Sequence, residues 1–146
     1  LVGDVQHYQT NVKAQMTDWD VSYNEHFLKV GEIALKFSKD IAKKVWAVTI
    51  SPILSDIWGM KYKTNEYAIS HDHFPSMFSF ASYINPPAHS TLSFKVLTKK
   101  LNNEHKKLVI FPGHMLHEVK PKEFTGHRYV VSGNIDNNAV KMGLRI

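Results

Sequence analysis

The sequence predicts a mainly β fold, a sandwich or jelly roll with one N-terminal helix packed on a sheet. Three observations carry this. Only one stretch, from Ser22 to Val45, repeats apolar residues at helical spacing. From Trp46 onward the chain breaks into short runs rich in valine, isoleucine and aromatics. Asparagine, proline and glycine punctuate those runs, and these residues favour turns for reasons of backbone geometry.

The helix comes first. Ser22-Tyr-Asn-Glu25 fits a capping box, with Ser22 as the N-cap and Glu25 reaching back. Phe27, Val30, Ala34, Phe37, Ile41 and Val45 then recur every three or four residues and define its apolar face. Lys43 and Lys44 sit near its end, where the helix dipole favours cations.

The strands follow in order. Trp46 to Ile50 is short and β-branched, and Pro52 closes it. Ile57 to Tyr62, Tyr67 to His71, Met77 to Ile84 and Leu92 to Leu97 come next. Lys107 to Phe111, Arg128 to Val131 and Val140 to Ile146 complete the set. Turns are expected at Thr64-Asn65, Asn85-Pro-Pro87, Asn102-Asn103, Pro112-Gly113, Gly126 and Asp136-Asn-Asn138. No repeat or linker interrupts the 146 residues, a length that suits one domain over 1–146.

Composition narrows the class. Hydrophobic content of 43% with 21% charged residues is that of a globular chain rather than a disordered one. No apolar run reaches the ~18 residues of a membrane span. The opening Leu1-Val-Gly-Asp4 has no charged n-region, so no signal peptide is expected. There are no cysteines, which excludes disulfides, zinc-thiolate sites and thiol catalysis. A cytoplasmic location is the simplest expectation. The net charge of +5 could draw an acidic partner. The lysines are scattered, however, and do not alternate with aromatics, so nucleic acid is not the expected partner. Oligomeric state is left open.

The chemistry lies in three segments. His71-Asp72-His73 places two imidazoles at i and i+2, on one side of an extended strand. About forty residues on, Phe111-Pro-Gly-His-Met-Leu-His117 ends an apolar strand with a third histidine that could close a metal site. Arg128 opens Arg-Tyr-Val-Val-Ser-Gly-Asn and offers a fixed charge for a carboxylate. Such a set suits an iron centre with open coordination positions and an acidic cosubstrate. His114 is expected at a turn, and His7, His26, His89, His105 and His127 at the surface.

From about Trp58 to Ile135 these segments resemble the 2-oxoglutarate- and Fe(II)-dependent oxygenases, and in particular the small prolyl-hydroxylase-like proteins of bacteria and tailed phages. The resemblance implies a double-stranded β-helix, a form of jelly roll. It implies Fe(II), 2-oxoglutarate and O2 as the reacting set, with succinate and CO2 released as a C–H bond is hydroxylated. His117 falls in the place of the distal iron ligand, Arg128 in that of the arginine holding the far carboxylate, and Tyr83 in that of a tyrosine sharing it. Tyr62 and Asn134 are further candidates for that carboxylate. Most of the family has His-X-Asp at the proximal motif, whereas this chain has His71-Asp72-His73. The expected ligands are His71, His73 and His117, with a set using Asp72 as the alternative. Residues 128, 130, 132 and 134 share a strand face, and if that face is the lumen Arg128 is a buried cation in need of an anion.

A prolyl or other protein residue is the expected target, presented by a peptide or protein. Segments 8–20, 63–70 and 98–106 are candidate substrate loops, the first as a lid or as cover for a sheet. Lys61, Lys63 and Lys99-Lys100 could steer an acidic partner if they flank the mouth. Two other functions stay open. One is a non-catalytic jelly-roll metal-binding module, and the other is a cupin-like three-histidine dioxygenase that does not use 2-oxoglutarate. The second needs no carboxylate clamp, so Arg128 argues against it.

Overall fold

The computed structural model describes residues 11–87, 91–97, 101–102 and 104–138. The predicted strand Val140 to Ile146 lies outside them, as do His7 and His89.

Helix α1 spans Glu25–Trp46. Its N-cap is Asn24 rather than Ser22, and the Asn24 side chain accepts from the His26 amide at 3.0 Å. The Ser22 amide instead donates to Asp20 Oδ1. The helix runs past Val45 and ends at Ala47, whose φ of 56° is left-handed, so the expected strand from Trp46 to Ile50 does not form. Its buried residues are Gly31, Ala34, Ser38 and Ala42. Phe37 and Val45, expected on the apolar face, are exposed. Small residues win that face because the helix lies very close to the sheet: a Cβ on Gly31 would sit 2.8 Å from Leu54 Cδ2.

Among the described residues ten strands form two five-stranded sheets. They are β1 (Val12–Lys13), β2 (Gln15–Met16), β3 (Pro52–Tyr62), β4 (Tyr67–His71) and β5 (Phe78–Ile84). Then come β6 (Thr91–Phe94), β7 (Leu101–Asn102), β8 (Leu108–Pro112), β9 (His117–Val119) and β10 (Arg128–Asn137). Pro52 opens β3 rather than closing an earlier strand, which suits a residue lacking the amide a ladder needs.

The pairing is nested. β3 pairs with β10, β4 with β9, β5 with β8 and β6 with β7, all antiparallel. Successive pairs alternate between the two sheets. One long hairpin is thereby wound into a double-stranded β-helix, a mainly β jelly roll with α1 packed outside. The helix-backed sheet has the order β2-β3-β10-β5-β8, and the open sheet β1-β4-β9-β6-β7.

Strand alternation divides the core. Ile57, Phe78, Phe80, Val131 and Ile135 pack outward beneath α1. Tyr62, Ala81, Tyr83 and Val130 face inward, toward the open sheet. Residues 11–19 bridge the sheets. β1 pairs with β4 of one sheet, and β2 with β3 of the other. This segment therefore serves as cover, and it also contributes to the wall of the internal cavity.

Candidate functional site

The nested pairing explains how distant residues meet. His71 ends β4 and His117 begins β9, and the two are register partners in the open sheet. A register shift between Ala68 and His71 sets where that pair falls. His73 lies just beyond β4, where its amide donates to the Gly113 carbonyl at 2.7 Å. Ring centroids of the three imidazoles lie 4.4 to 5.1 Å apart. One nitrogen from each falls within 4.8 Å of the others.

Two of the rings are fixed in tautomer. His71 Nδ1 lies 2.6 Å from the Ile69 carbonyl, and His117 Nδ1 lies 3.0 Å from that of Met115. A carbonyl only accepts, so Nδ1 carries the proton and Nε2 keeps its lone pair for a metal. Phe111 and Phe94 pack on His117, at 4.8 and 6.1 Å between centroids. Burial, with repulsion from the other two histidines, pushes the His73 pKa down to about 3. Burial likewise pushes His117 down to about 4. Both are neutral imidazoles at pH 7, the form that binds metal. The set fits iron(II) among first-row ions, and zinc or nickel as well. Asp72, the alternative ligand, stands apart: it is exposed, and its Oδ1 accepts from the Phe74 amide.

Arg128 lines the same cavity as the three histidines, a space of about 320 Å³. It is 4% exposed. Its guanidinium carbon lies 4.1 Å from the centre of the Tyr62 ring, the residue directly opposite on β3. Burial draws its pKa down, while Tyr62 and Tyr83 favour the charged form. Burial raises the Tyr62 hydroxyl to about 12, so it remains a hydrogen-bond donor. Tyr83 lies one rung further along, opposite Val130 on β5, and both tyrosines line the cavity.

The predicted parity of β10 holds: Arg128, Val130 and Ser132 line the cavity, and Asn134 shares their face, in register with Ser79 and Asp56. Asn134 does not reach the cavity, however, so it is not a ligand for the carboxylate. Its Oδ1 accepts from Ser79 Oγ at 2.8 Å, and it hydrogen-bonds Asp56 across the sheet. The amide is thus engaged before a ligand could reach it. Lys61 lies on the other face of its sheet, in a separate groove beside α1. His114, His26, His105 and His127 are exposed, as expected.

Sequence reading missed two aromatic wall residues. Trp58 shares strand parity with Tyr62 on β3, and that signal could have found it. Trp19 packs edge-on against Trp58 at 5.1 Å between centroids, and Trp58 lies 5.9 Å from the His73 ring. Nothing local in the sequence marks Trp19 for this place.

The nested pairing defines a double-stranded β-helix, and it is this fold that the chain shares with known proteins. No family model matches the sequence, and no curated protein matches it. Solved structures do. A collagen prolyl hydroxylase from Paramecium bursaria Chlorella virus-1 aligns over 86% of this chain and 80% of its own, with TM-score 0.63 and 16% identity. A prolyl-4-hydroxylase from Pseudomonas putida aligns over 92% and 78%, with TM-score 0.66 and 16% identity. A prolyl hydroxylase from Trichoplax adhaerens, solved with a hypoxia inducible factor peptide fragment, covers 100% of this chain and 70% of its own at TM-score 0.67 and 13% identity. At such identities the likeness is one of fold. Among the described residues no helix is long and apolar enough to cross a membrane.

Proposed function

We propose that this chain is an Fe(II)- and 2-oxoglutarate-dependent dioxygenase that hydroxylates a C–H bond of a peptide or protein residue, prolyl or other. One observation carries the reading: three imidazoles converge on one wall of a cavity that a buried arginine shares. His71, His73 and His117 would hold the iron. Arg128, with the hydroxyls of Tyr62 and Tyr83, would hold the far carboxylate of 2-oxoglutarate, whose two oxygens suit the planar guanidinium. When bound, iron and 2-oxoglutarate supply the power to activate O2, one atom entering the substrate and the other leaving in succinate, with CO2 released.

The chain's own residues position and desolvate. Backbone carbonyls hold two rings in the metal-binding tautomer. Phe94, Phe111 and Trp58 keep water from the imidazoles. Among the described lining residues the only acidic side chain is Asp72. No strong general base is therefore built in, and none is needed for hydrogen abstraction. The peptide bound by the Trichoplax enzyme supports a peptide partner here. A buried arginine lining the same cavity as the triad favours this reading over a cupin-like dioxygenase without 2-oxoglutarate.

The test is iron-dependent conversion of 2-oxoglutarate to succinate, followed with and without candidate peptides. Iron-loaded protein that neither binds nor turns over 2-oxoglutarate would sink the proposal and leave a metal-binding module.

A further inference from the structure

We propose that the mouth of this cavity docks a cationic side chain, so that the substrate segment carries a lysine or arginine at or beside the oxidised residue. This deepens the oxygenase reading and depends on it only for what becomes of the docked segment.

The argument starts from where charge sits. Apart from the histidines, the charged residues lining the cavity are Arg128 and Asp72. Arg128 is buried, and Asp72 is exposed. Asp72 forms no ion pair among the described residues, and its recorded hydrogen bond is the one from the Phe74 amide to Oδ1. Beside it stands an aromatic corner. Asp72 adjoins His73, His73 lies 5.9 Å from Trp58, and Trp58 lies 5.1 Å from Trp19. Trp19 is 43% exposed, so a ring is offered to whatever enters.

Of the lysines expected to favour an anion, Lys61 is on the other face of its sheet, Lys63 does not line the cavity, and Lys99-Lys100 lie outside the described residues. Among the described residues, the exposed charge lining the cavity of this protein of net charge +5 is thus a carboxylate, and an exposed indole shares the lining. An ammonium or guanidinium group gains both from a carboxylate and from the face of an indole. A neutral side chain gains only the ring, and an acidic one is repelled.

The experiment uses blocked alanine–glycine heptapeptides whose central residue is lysine, arginine, norleucine, proline or glutamate. They are titrated into the 15N-labelled protein without iron or 2-oxoglutarate. The indole N–H resonances of Trp19 and Trp58 report docking, and that of Trp46, stacked on Phe78, is the internal control. The lysine or arginine peptide is expected to bind roughly three- to tenfold more tightly than norleucine, the range an exposed ion pair and cation–π contact supply together. The two cationic arms distinguish ammonium from guanidinium. Asp72→Asn should abolish that preference, Asp72→Lys should reverse it toward glutamate, and Trp19→Ala should weaken the cationic peptides. Zinc binding serves as the check that the histidines remain in place. Norleucine or proline binding as tightly as lysine, or glutamate binding best to the unaltered protein, overturns the proposal. Cationic docking in this titration, with no succinate formed when the same peptides are given to the protein loaded with iron and 2-oxoglutarate in air, would instead overturn the oxygenase reading and leave the docking site standing.

Discussion

Arg128 and Tyr62 are register partners across β10 and β3, and the guanidinium lies over the tyrosine ring at 4.1 Å from its centre. The stack fixes the plane of the cation in a cavity where it can meet a carboxylate edge-on. Tyr83, the hydroxyl favoured from sequence, lies on the opposite neighbouring strand, so the arginine has a tyrosine from each side of β10.

Removing the cation should be felt first by the acidic cosubstrate. Losing one partner of a buried charged pair costs on the order of 3–5 kcal/mol. Arg128→Ala is expected to raise the 2-oxoglutarate dissociation constant at least about a hundredfold, with metal affinity retained. Tyr62→Phe and Tyr83→Phe should each raise it about tenfold, as for one hydrogen bond to a charged group. Anaerobic titration of the iron-loaded proteins measures all three. Equal affinity in Arg128→Ala would remove the clamp.

The three histidines should behave as one unit. Single alanine substitutions at His71, His73 or His117 are each expected to abolish stable metal retention, whereas Asp72→Asn should leave metal affinity within about twofold, as for an exposed group outside the ligand set. Metal analysis after dialysis against a weak chelator decides it. Metal lost from Asp72→Asn but kept by His73→Ala would exchange their roles.

Gly113 is expected to be the least replaceable glycine near the site. A Cβ there would run into the Ser76 carbonyl, which is backbone and cannot step aside cheaply. The Gly113 carbonyl also accepts from the His73 amide. Gly113→Ala should therefore lower both thermal stability and metal affinity. Gly31→Ala meets only the flexible end of Leu54 and should cost much less. Paired melting curves and metal titrations separate the two. Similar melting temperatures would show that the turn adjusts freely.

The metal-free protein should lose stability in mild acid. His73 and His117 have folded pKa values of about 3 and about 4, below the ordinary 6.5. Between about pH 6.5 and those values the unfolded chain binds more protons than the folded one, so stability falls as pH falls through that window. Melting temperature measured from pH 7.5 to 4.5 should show the decline. His73→Gln should flatten it. A profile unchanged by that substitution would mean that other groups set the acid limit.

Much of the site was legible because its chemistry is written locally. Two histidines at i and i+2, a third after an apolar strand, and an arginine at a strand head need no knowledge of packing. The parity argument along β10 also reached Val130 and Ser132 correctly. It holds for the face of Asn134 too, but parity could not tell that a cross-strand serine takes the amide beyond the end of the cavity. The helix face failed because hydrophobicity selected Phe37 and Val45, whereas close approach to the sheet selected glycine, alanine and serine. The bridging strands β1 and β2 are two residues each, too short for any period to show.

The hydrogen bonds from His71 and His117 to backbone carbonyls have a consequence for metal traffic. At His117, whose pKa is pushed down to about 4, Nδ1 holds the only ring proton near neutral pH, so an ion arriving at Nε2 displaces none from it. His73, pushed down to about 3, likewise has no extra proton to give up, so these two ligands should release no acid on loading between pH 7 and 8. A thiolate site of similar strength would surrender protons over the same interval. Capture and loss of the ion would then follow the supply of metal rather than small swings in acidity.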